Sequence, residues 1–227
     1  MTKVNVGKSV MEANAEQAAT LRSDWQSRGL TVLNLISSPG SGKTALLEQT
    51  LEHFRGKLQM AVLVGDVQTE NDANRLARHG FPVKQIITNG TCHLEAHMIE
   101  KHLPFVDTKG LDLLMIENVG NLVCPSSYDL GEDAKVVLLS TTEGEDKPLK
   151  YPAIFRRAEV AILTKTDLLP YLDFDVSAVR HNIDQIHAGI PMFRVSARTG
   201  DGLDEWLTWV ETKVARKKHP DFHQTVR

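Results

Sequence analysis

Short apolar runs recur along the chain at regular intervals, separated by polar and turn-forming segments. Seven stand out: LTVLNLI (30–36), MAVLVGD (60–66), VKQIIT (83–88), LDLLMIEN (111–118), KVVLLST (135–141), VAILTKTD (160–167) and MFRVSA (192–197). Most are continuously hydrophobic rather than alternating, which is the pattern of strands covered on both faces. The segments between them carry the three-and-four spacing of amphipathic helices. In LDEWLTWVETKV, Leu203, Trp206, Leu207, Val210 and Val214 form one stripe. Alternating strands and helices predict an α/β fold, a mostly parallel sheet of about seven strands with helices on both faces. Met11, Ala15, Ala18, Leu21 and Trp25 predict a lead-in helix over residues 1–28, which Gly29 can end. The main domain is expected over 29–215, followed by a basic, polar, frayed tail over 216–227.

Composition narrows the partners. The 227 residues are 41% hydrophobic and 24% charged, with a formal net charge of −3. That supports one sizeable core and argues against nucleic acid as the main partner. No apolar run approaches the roughly 20 residues that span a bilayer. The opening MTKVNVGKSVMEANAE lacks the apolar centre of a signal peptide. The expectation is a cytoplasmic protein with no membrane partner. Its two cysteines, Cys92 and Cys124, then read as free thiols or metal ligands rather than a disulfide.

The first apolar run leads into SSPGSGKT and then a helix-like segment. Strand, glycine loop, Lys-Thr, helix is the layout of a phosphate-binding loop. Its glycines let backbone N–H groups approach phosphates, and the helix N-terminus adds partial positive charge. The backbone of Gly40, Ser41, Gly42, Lys43, Thr44 and Ala45 is expected to cradle the phosphates. Lys43 would reach the β- and γ-phosphates, and the Thr44 hydroxyl would ligate Mg²⁺. Ser37 stands where the usual pattern has its first glycine.

Other strand ends add to this site, where ligands of such sheets bind. Asp66, with QTENDANR behind it, can hold Mg²⁺ or its waters beside a switch segment. Glu117-Asn118-Val119-Gly120 fits a γ-phosphate sensor, with Glu117 near Mg²⁺ and the Gly120 N–H toward the phosphate. Thr164-Lys165-Thr166-Asp167 resembles the N-K-x-D guanine-reading motif. Ionised Asp167 can accept from the guanine ring N–H and amino group, where adenine would repel it. The Lys165 stem would cover the base plane, and Ser196-Ala197 would close on its other edge. Four motifs in this order favour GTP over ATP.

A second chemistry lies in TNGTCHLEAHMIEKH and GNLVCPSS. Cys92 and His93 fall just past the third run, where the spacing predicts the start of a helix whose dipole would favour a Cys92 thiolate. Cys124 lies four residues past Gly120. Thiolates with an imidazole suit Zn²⁺ or Ni²⁺. Two small buried thiols and a surface histidine are the simpler reading of the spacing alone. Position changes the weighting, because a loop that follows nucleotide state would carry Cys124 with it. One chain offers three ligands and two chains six, which suggests a metal held at a dimer interface. His97 could chelate with His93, but reads better as a solvated side chain.

The stretches SSPGSGKT, GDVQTENDANR, TNGTCHLEA, IENVGNLVCP, YDLGE and TTEGEDKPLKYP resemble the HypB family, GTPases that help insert nickel into [NiFe]-hydrogenase. The resemblance runs from about Val32 to Trp209. It implies a SIMIBI-like phosphate-loop GTPase that dimerises with GTP, with Cys92, His93 and Cys124 as metal ligands. It also implies a HypA-type metallochaperone and the hydrogenase large subunit as partners. The family has Asn where Thr164 stands. The cysteine-rich or histidine-rich N-terminal nickel motifs of some members have no counterpart here, so high-affinity nickel storage is expected to be absent. Lys147 and Lys150 follow a strand end near the implied dimer face, and one of them is expected to reach the partner's nucleotide.

Three alternatives stay open at this level. A urease-type maturation GTPase would share the fold. A phosphate-loop kinase would need arginines around the transferred group, and Arg75, Arg78, Arg156 and Arg157 form no recognisable lid motif. A metal-binding module with vestigial nucleotide binding is the third. With no assigned general base or arginine finger, hydrolysis is expected at about 10⁻⁴ to 10⁻² s⁻¹.

Overall fold

The computed structural model describes residues 6–67, 71–106 and 109–219, with side chains from residue 10 onward. Seven strands form one parallel sheet: β1 (Thr31–Ser37), β2 (Met60–Asp66), β3 (Val83–Ile87), β4 (Leu113–Glu117), β5 (Ala134–Ser140), β6 (Val160–Thr164) and β7 (Met192–Val195). Their order is β3-β2-β4-β1-β5-β6-β7. Among the described residues eight α-helices accompany them: α1 (Val6–Ser27), α2 (Lys43–Phe54), α3 (Asn71–Ala77), α4 (Ala96–His102), α5 (Lys147–Lys150), α6 (Pro152–Arg157), α7 (Val176–Asp184) and α8 (Leu203–Lys218). Each of the seven apolar runs coincides with one strand to within a residue or two at its start, and β1 and β5 each reach one residue beyond their runs.

All seven residues of β1 are buried, because helices cover both faces. Leu33 and Leu35 pack with Leu46, Leu47 and Phe54 of α2 and Trp206 and Val210 of α8. Val32 points to the opposite layer, with Ala18, Leu21 and Trp25 of α1 and Ile99 of α4. Each such fully buried large side chain contributes about 1.5–3 kcal/mol of transfer free energy. A third cluster joins Ile36, Val137 and Leu163 to Phe155 of α6 and Ile183 of α7.

The order places β1 at the centre, between β4 and β5. Leu35 pairs with Glu117 on one side, and Ser37 with Leu138 on the other. The loop after β1 is thus flanked by the ends of both neighbours, the crevice where parallel sheets bind ligands.

Three expectations need correction. The buried stripe of α1 is Asn14, Ala18, Leu21 and Trp25, while Met11 and Ala15 are exposed. Asn14 is tolerated there because its Nδ2 donates to the Asp129 carbonyl at 2.8 Å and its Oδ1 accepts from Ala96 N at 2.9 Å. The helix near Cys92 begins only at Ala96. Finally, α8 continues to Lys218, past the expected end at 215. Asp204 and Glu205 in its first turn and Arg216, Lys217 and Lys218 in its last complement the helix dipole. Residues 1–5 of the lead-in segment, 68–70 of the switch segment and 220–227 of the tail lie outside the described residues.

Candidate nucleotide and metal site

At the loop after β1, Gly42 has φ 94° and stands immediately before α2. That backbone conformation favours glycine and aims the first N–H groups of α2 into a cavity of about 440 Å³. Gly40, Lys43, Thr44 and Ala45 line this cavity, together with Asp66, Glu117 and Gly120. The Ser41 side chain is buried, and its hydroxyl bonds the Ser38 carbonyl and Glu143. Lys43 Nζ donates to Ser37 Oγ at 2.9 Å, so the serine at the atypical position supplies a resting partner for the lysine. Burial pulls the Lys43 ammonium pKa below its ordinary value, opposed first by Glu117.

The residues fit a hydrated Mg²⁺. Thr44 Oγ1 donates to Glu117 Oε1 at 2.8 Å, and Glu117 Oε2 is buried without a partner. Burial lifts the Glu117 carboxyl to about 7, against the opposing Lys43 charge and Thr44 hydroxyl. A carboxylate this costly to ionise is one that a cation would relieve. Asp72 and Arg75, on α3, also line the cavity. Neither was singled out from sequence as a site residue. Arg75 is held by Glu48 at 2.6 Å and Asp72 at 3.7 Å.

A second cavity, about 250 Å³, shares Gly42 and Ala45 with the first. Lys165, Asp167 and Ala197, three of the residues expected around a guanine, line it together with Leu168, which the sequence did not point to. Ser196 lies behind: its hydroxyl donates to Asp167 Oδ1 at 2.7 Å and orients that carboxylate. Thr164 Oγ1 donates to the Ser41 carbonyl at 2.6 Å, so the threonine that replaces asparagine keeps a tie to the phosphate loop.

Lys147 and Lys150 are separated by the fold. Lys147 Nζ lies 3.4 Å from Ser38 Oγ and 3.8 Å from Glu143 Oε2, beside its own phosphate loop. Lys150 pairs with Asp146 at 2.6 Å on the surface.

Cys92, His93 and Cys124 come together, with their ligand atoms all within 4.8 Å of one another. The two sulfurs are 3.0 Å apart, and both cysteines are free. The expected helix dipole does not act on Cys92, which precedes α4 by several residues. Its thiol pKa is raised instead, mainly by the hydrogen bond to Cys124 and then by burial. A divalent ion would displace those protons, so metal binding releases them. His93 is buried and stacks on Tyr128 with ring centroids 3.8 Å apart. Its Nε2 lies 3.3 Å from Glu95 Oε1.

The two sites are cross-tied. Asn118 Oδ1 accepts from Leu94 N at 3.3 Å and from Val119 N at 3.0 Å. Asn121 Nδ2 donates to the Cys92 carbonyl at 3.1 Å. The segment from Glu117 to Cys124 thus borders the phosphate cavity at one end and supplies a thiol at the other.

A central phosphate loop on a parallel sheet, with cavities for phosphates and base, defines a phosphate-loop nucleotide-binding protein. This one also carries a thiol–imidazole cluster suited to a soft metal ion. The family model described as "CobW/HypB/UreG, nucleotide-binding domain" matches residues 31–194. The chain belongs to the HypB family of hydrogenase maturation factors. It is 49% identical over 208 residues to Hydrogenase maturation factor HypB of Azotobacter vinelandii, covering 92% of this chain and 69% of that relative. The crystal structure of HypB from Helicobacter pylori in complex with nickel matches with a TM-score of 0.85 and 40% identity, covering 90% of this chain and 96% of that one. The signal recognition particle 54 kDa protein of Aeropyrum pernix K1, solved with GDP, shares the fold alone, with a TM-score of 0.54 and 13% identity over 83% of this chain and 49% of that one. Among the described residues no helix is long and apolar enough to cross a membrane.

Proposed function

We propose that this chain is a GTP-hydrolysing metallochaperone of [NiFe]-hydrogenase maturation, in which nucleotide state sets the geometry of a Ni²⁺ or Zn²⁺ site. One observation carries the proposal. Residues 117–124 run from the phosphate cavity to Cys124, and the Asn118 and Asn121 side chains bind them to the Cys92–Leu94 turn. A shift of the Gly120 N–H toward a γ-phosphate would therefore reach all three ligands, Cys124 through its own segment and Cys92 and His93 through the Asn118 and Asn121 ties.

In this reading Lys43 and the loop backbone hold the phosphates, while Thr44, Asp66 and Glu117 organise Mg²⁺ and the attacking water. Asp167, oriented by Ser196, reads guanine. The products are GDP and phosphate. Arg75 is the one arginine of the four at the phosphate cavity, and Glu48 restrains it. Arg156 and Arg157 line a different cleft, with Ala134 and Pro191 at the opposite ends of the strands. That dispersal argues against a kinase lid.

GTP favours a homodimer, in which two copies of the three-ligand cluster share metal. Val123, beside Cys124, is 58% exposed, and Leu149, on α5 with Lys147, is 45% exposed; both are apolar surface a second copy can cover. Lys147 then exchanges its own phosphate loop for the partner's nucleotide. A HypA-type metallochaperone and the hydrogenase large subunit are the other partners, and the protein acts in the cytoplasm.

Steady-state GTP hydrolysis by the full chain tests the enzymatic part. Turnover of about 10⁻⁴ to 10⁻² s⁻¹, without a phosphorylated co-substrate, supports it. No hydrolysis, or phosphoryl transfer to a small molecule, contradicts it.

A further inference from the structure

We infer that Glu95 is a positioning residue of the metal site: its carboxylate fixes the His93 tautomer so that Nδ1 is the atom that binds metal. The inference rests on the proposed metal site and assigns a role to a residue outside the ligand set.

Glu95 occupies the N-cap position of α4, yet its side chain makes no capping bond. The first N–H of that helix, on Ala96, is bound instead by Asn14 of α1. This arrangement frees the carboxylate for other work. Its two oxygens are taken by two imidazoles: Oε1 lies 3.3 Å from His93 Nε2, and Oε2 lies 3.2 Å from His97 Nδ1. An ionised carboxylate only accepts hydrogen bonds, so a neutral His93 must carry its proton on Nε2. Its Nδ1 then presents a bare lone pair.

That atom is the unexplained group. His93 is only 8% exposed, and Nδ1 is buried with no hydrogen-bond partner. A buried acceptor left unpaired costs free energy, and native proteins rarely carry one without use. A divalent ion beside Cys92 and Cys124 would satisfy it. Tyr128 stacked on the ring, at an interplanar angle of 27°, restricts rotation that would exchange the two nitrogens. The pattern is the carboxylate–histidine–metal relay, in which the outer carboxylate sets ring orientation and strengthens the donor nitrogen. The exposed His97, on the other oxygen, holds the carboxylate from its far side.

The test is a double-mutant cycle on Zn²⁺ and Ni²⁺ affinity of the full chain, read by competition with a chromophoric chelator. Glu95→Ala is expected to weaken binding by about 10–100-fold. Glu95→Gln, whose amide oxygen still accepts from Nε2–H, should recover most of that loss. In a His93→Ala background, Glu95→Ala should cost nothing further. A merely structural role for Glu95 would lower affinity equally in both backgrounds. Nitrogen NMR of His93 gives a second readout: the Nε2–H form before metal, and a metal-shifted Nδ1 after. Unchanged affinity in Glu95→Ala, equal losses in both backgrounds, or a metal-shifted Nε2 would overturn the inference while leaving the thiol site standing. Wild-type affinity in Cys92→Ser would overturn the site itself, and the role of Glu95 with it.

Discussion

Gly120 packs so closely on Pro39 that a Cβ added to it would fall 2.9 Å from the Pro39 Cα. The sensor segment after β4 therefore rests on the phosphate loop with no room for a side chain. We expect Gly120→Ala to push the two apart, at a stability cost of about 1–3 kcal/mol. Metal affinity without nucleotide should persist, because Cys92, His93 and Cys124 lie outside the contact. Its dependence on nucleotide should vanish. Metal titrations with GDP and with a GTP analogue check this.

Glu117 predicts a pH slope. Burial lifts its carboxyl from 4.5 in the unfolded chain to about 7 in the fold. Between those values the folded state keeps a proton that the unfolded state has lost. The residue's stability contribution is therefore complete below pH 4.5 and falls as pH rises through about 7. The full displacement corresponds to about 3 kcal/mol. Urea denaturation of metal-free protein in chelator should show wild type losing stability toward pH 8 relative to Glu117→Gln. Parallel pH profiles for the two would contradict the assignment.

Thr164 predicts a link between base site and phosphate loop. Thr164→Val keeps the shape but leaves the Ser41 carbonyl without its 2.6 Å donor. Loss of that buried bond should cost about 1–3 kcal/mol in denaturation experiments. GDP affinity should fall as well, because Ser41 belongs to the loop that cradles phosphate. Unchanged GDP binding would mean that the tie does not shape the loop.

Much of this arrangement was legible in the sequence, for identifiable reasons. Strands buried on both faces leave unbroken apolar runs, so the seven strands could be read directly, and the glycine loop with Lys43-Thr44 marked the phosphate site; its place at the centre of the sheet came only with the strand order. The ligand trio was legible only in part: spacing alone favours plain thiols and a histidine, and it is the place of Cys124 beyond the Glu117–Gly120 segment, together with the family resemblance, that points to metal. The face of α1 was harder to read. Asn14 lies in its buried stripe because two distant partners satisfy it, and neither is visible in local periodicity. The start of α4 was misplaced for a related reason: its first N–H is bound by Asn14 from another helix, so no local cap marks it. Asp72 and Glu95 belong to no motif that marks them in the sequence, and only the fold turns them toward a cavity or a histidine.

Lys147 and Lys150 should behave differently. Lys147 already reaches its own phosphate loop, whereas Lys150 is paired with Asp146 on the surface. Lys147→Ala alone should weaken GTP-dependent dimerisation in light scattering, and Lys150→Ala should leave it intact. Wild-type dimerisation in the double variant would remove both lysines from the account.

The central claim is that nucleotide and metal are coupled through residues 117–124. Its most direct test is Ni²⁺ and Zn²⁺ affinity with GDP and with a non-hydrolysable GTP analogue, with molecular mass followed in the same samples. The account predicts that the analogue changes metal affinity and shifts the protein to a dimer, and by linkage that metal changes analogue affinity by the same factor. Equal metal affinity in both nucleotide states, with no change in mass, would contradict it.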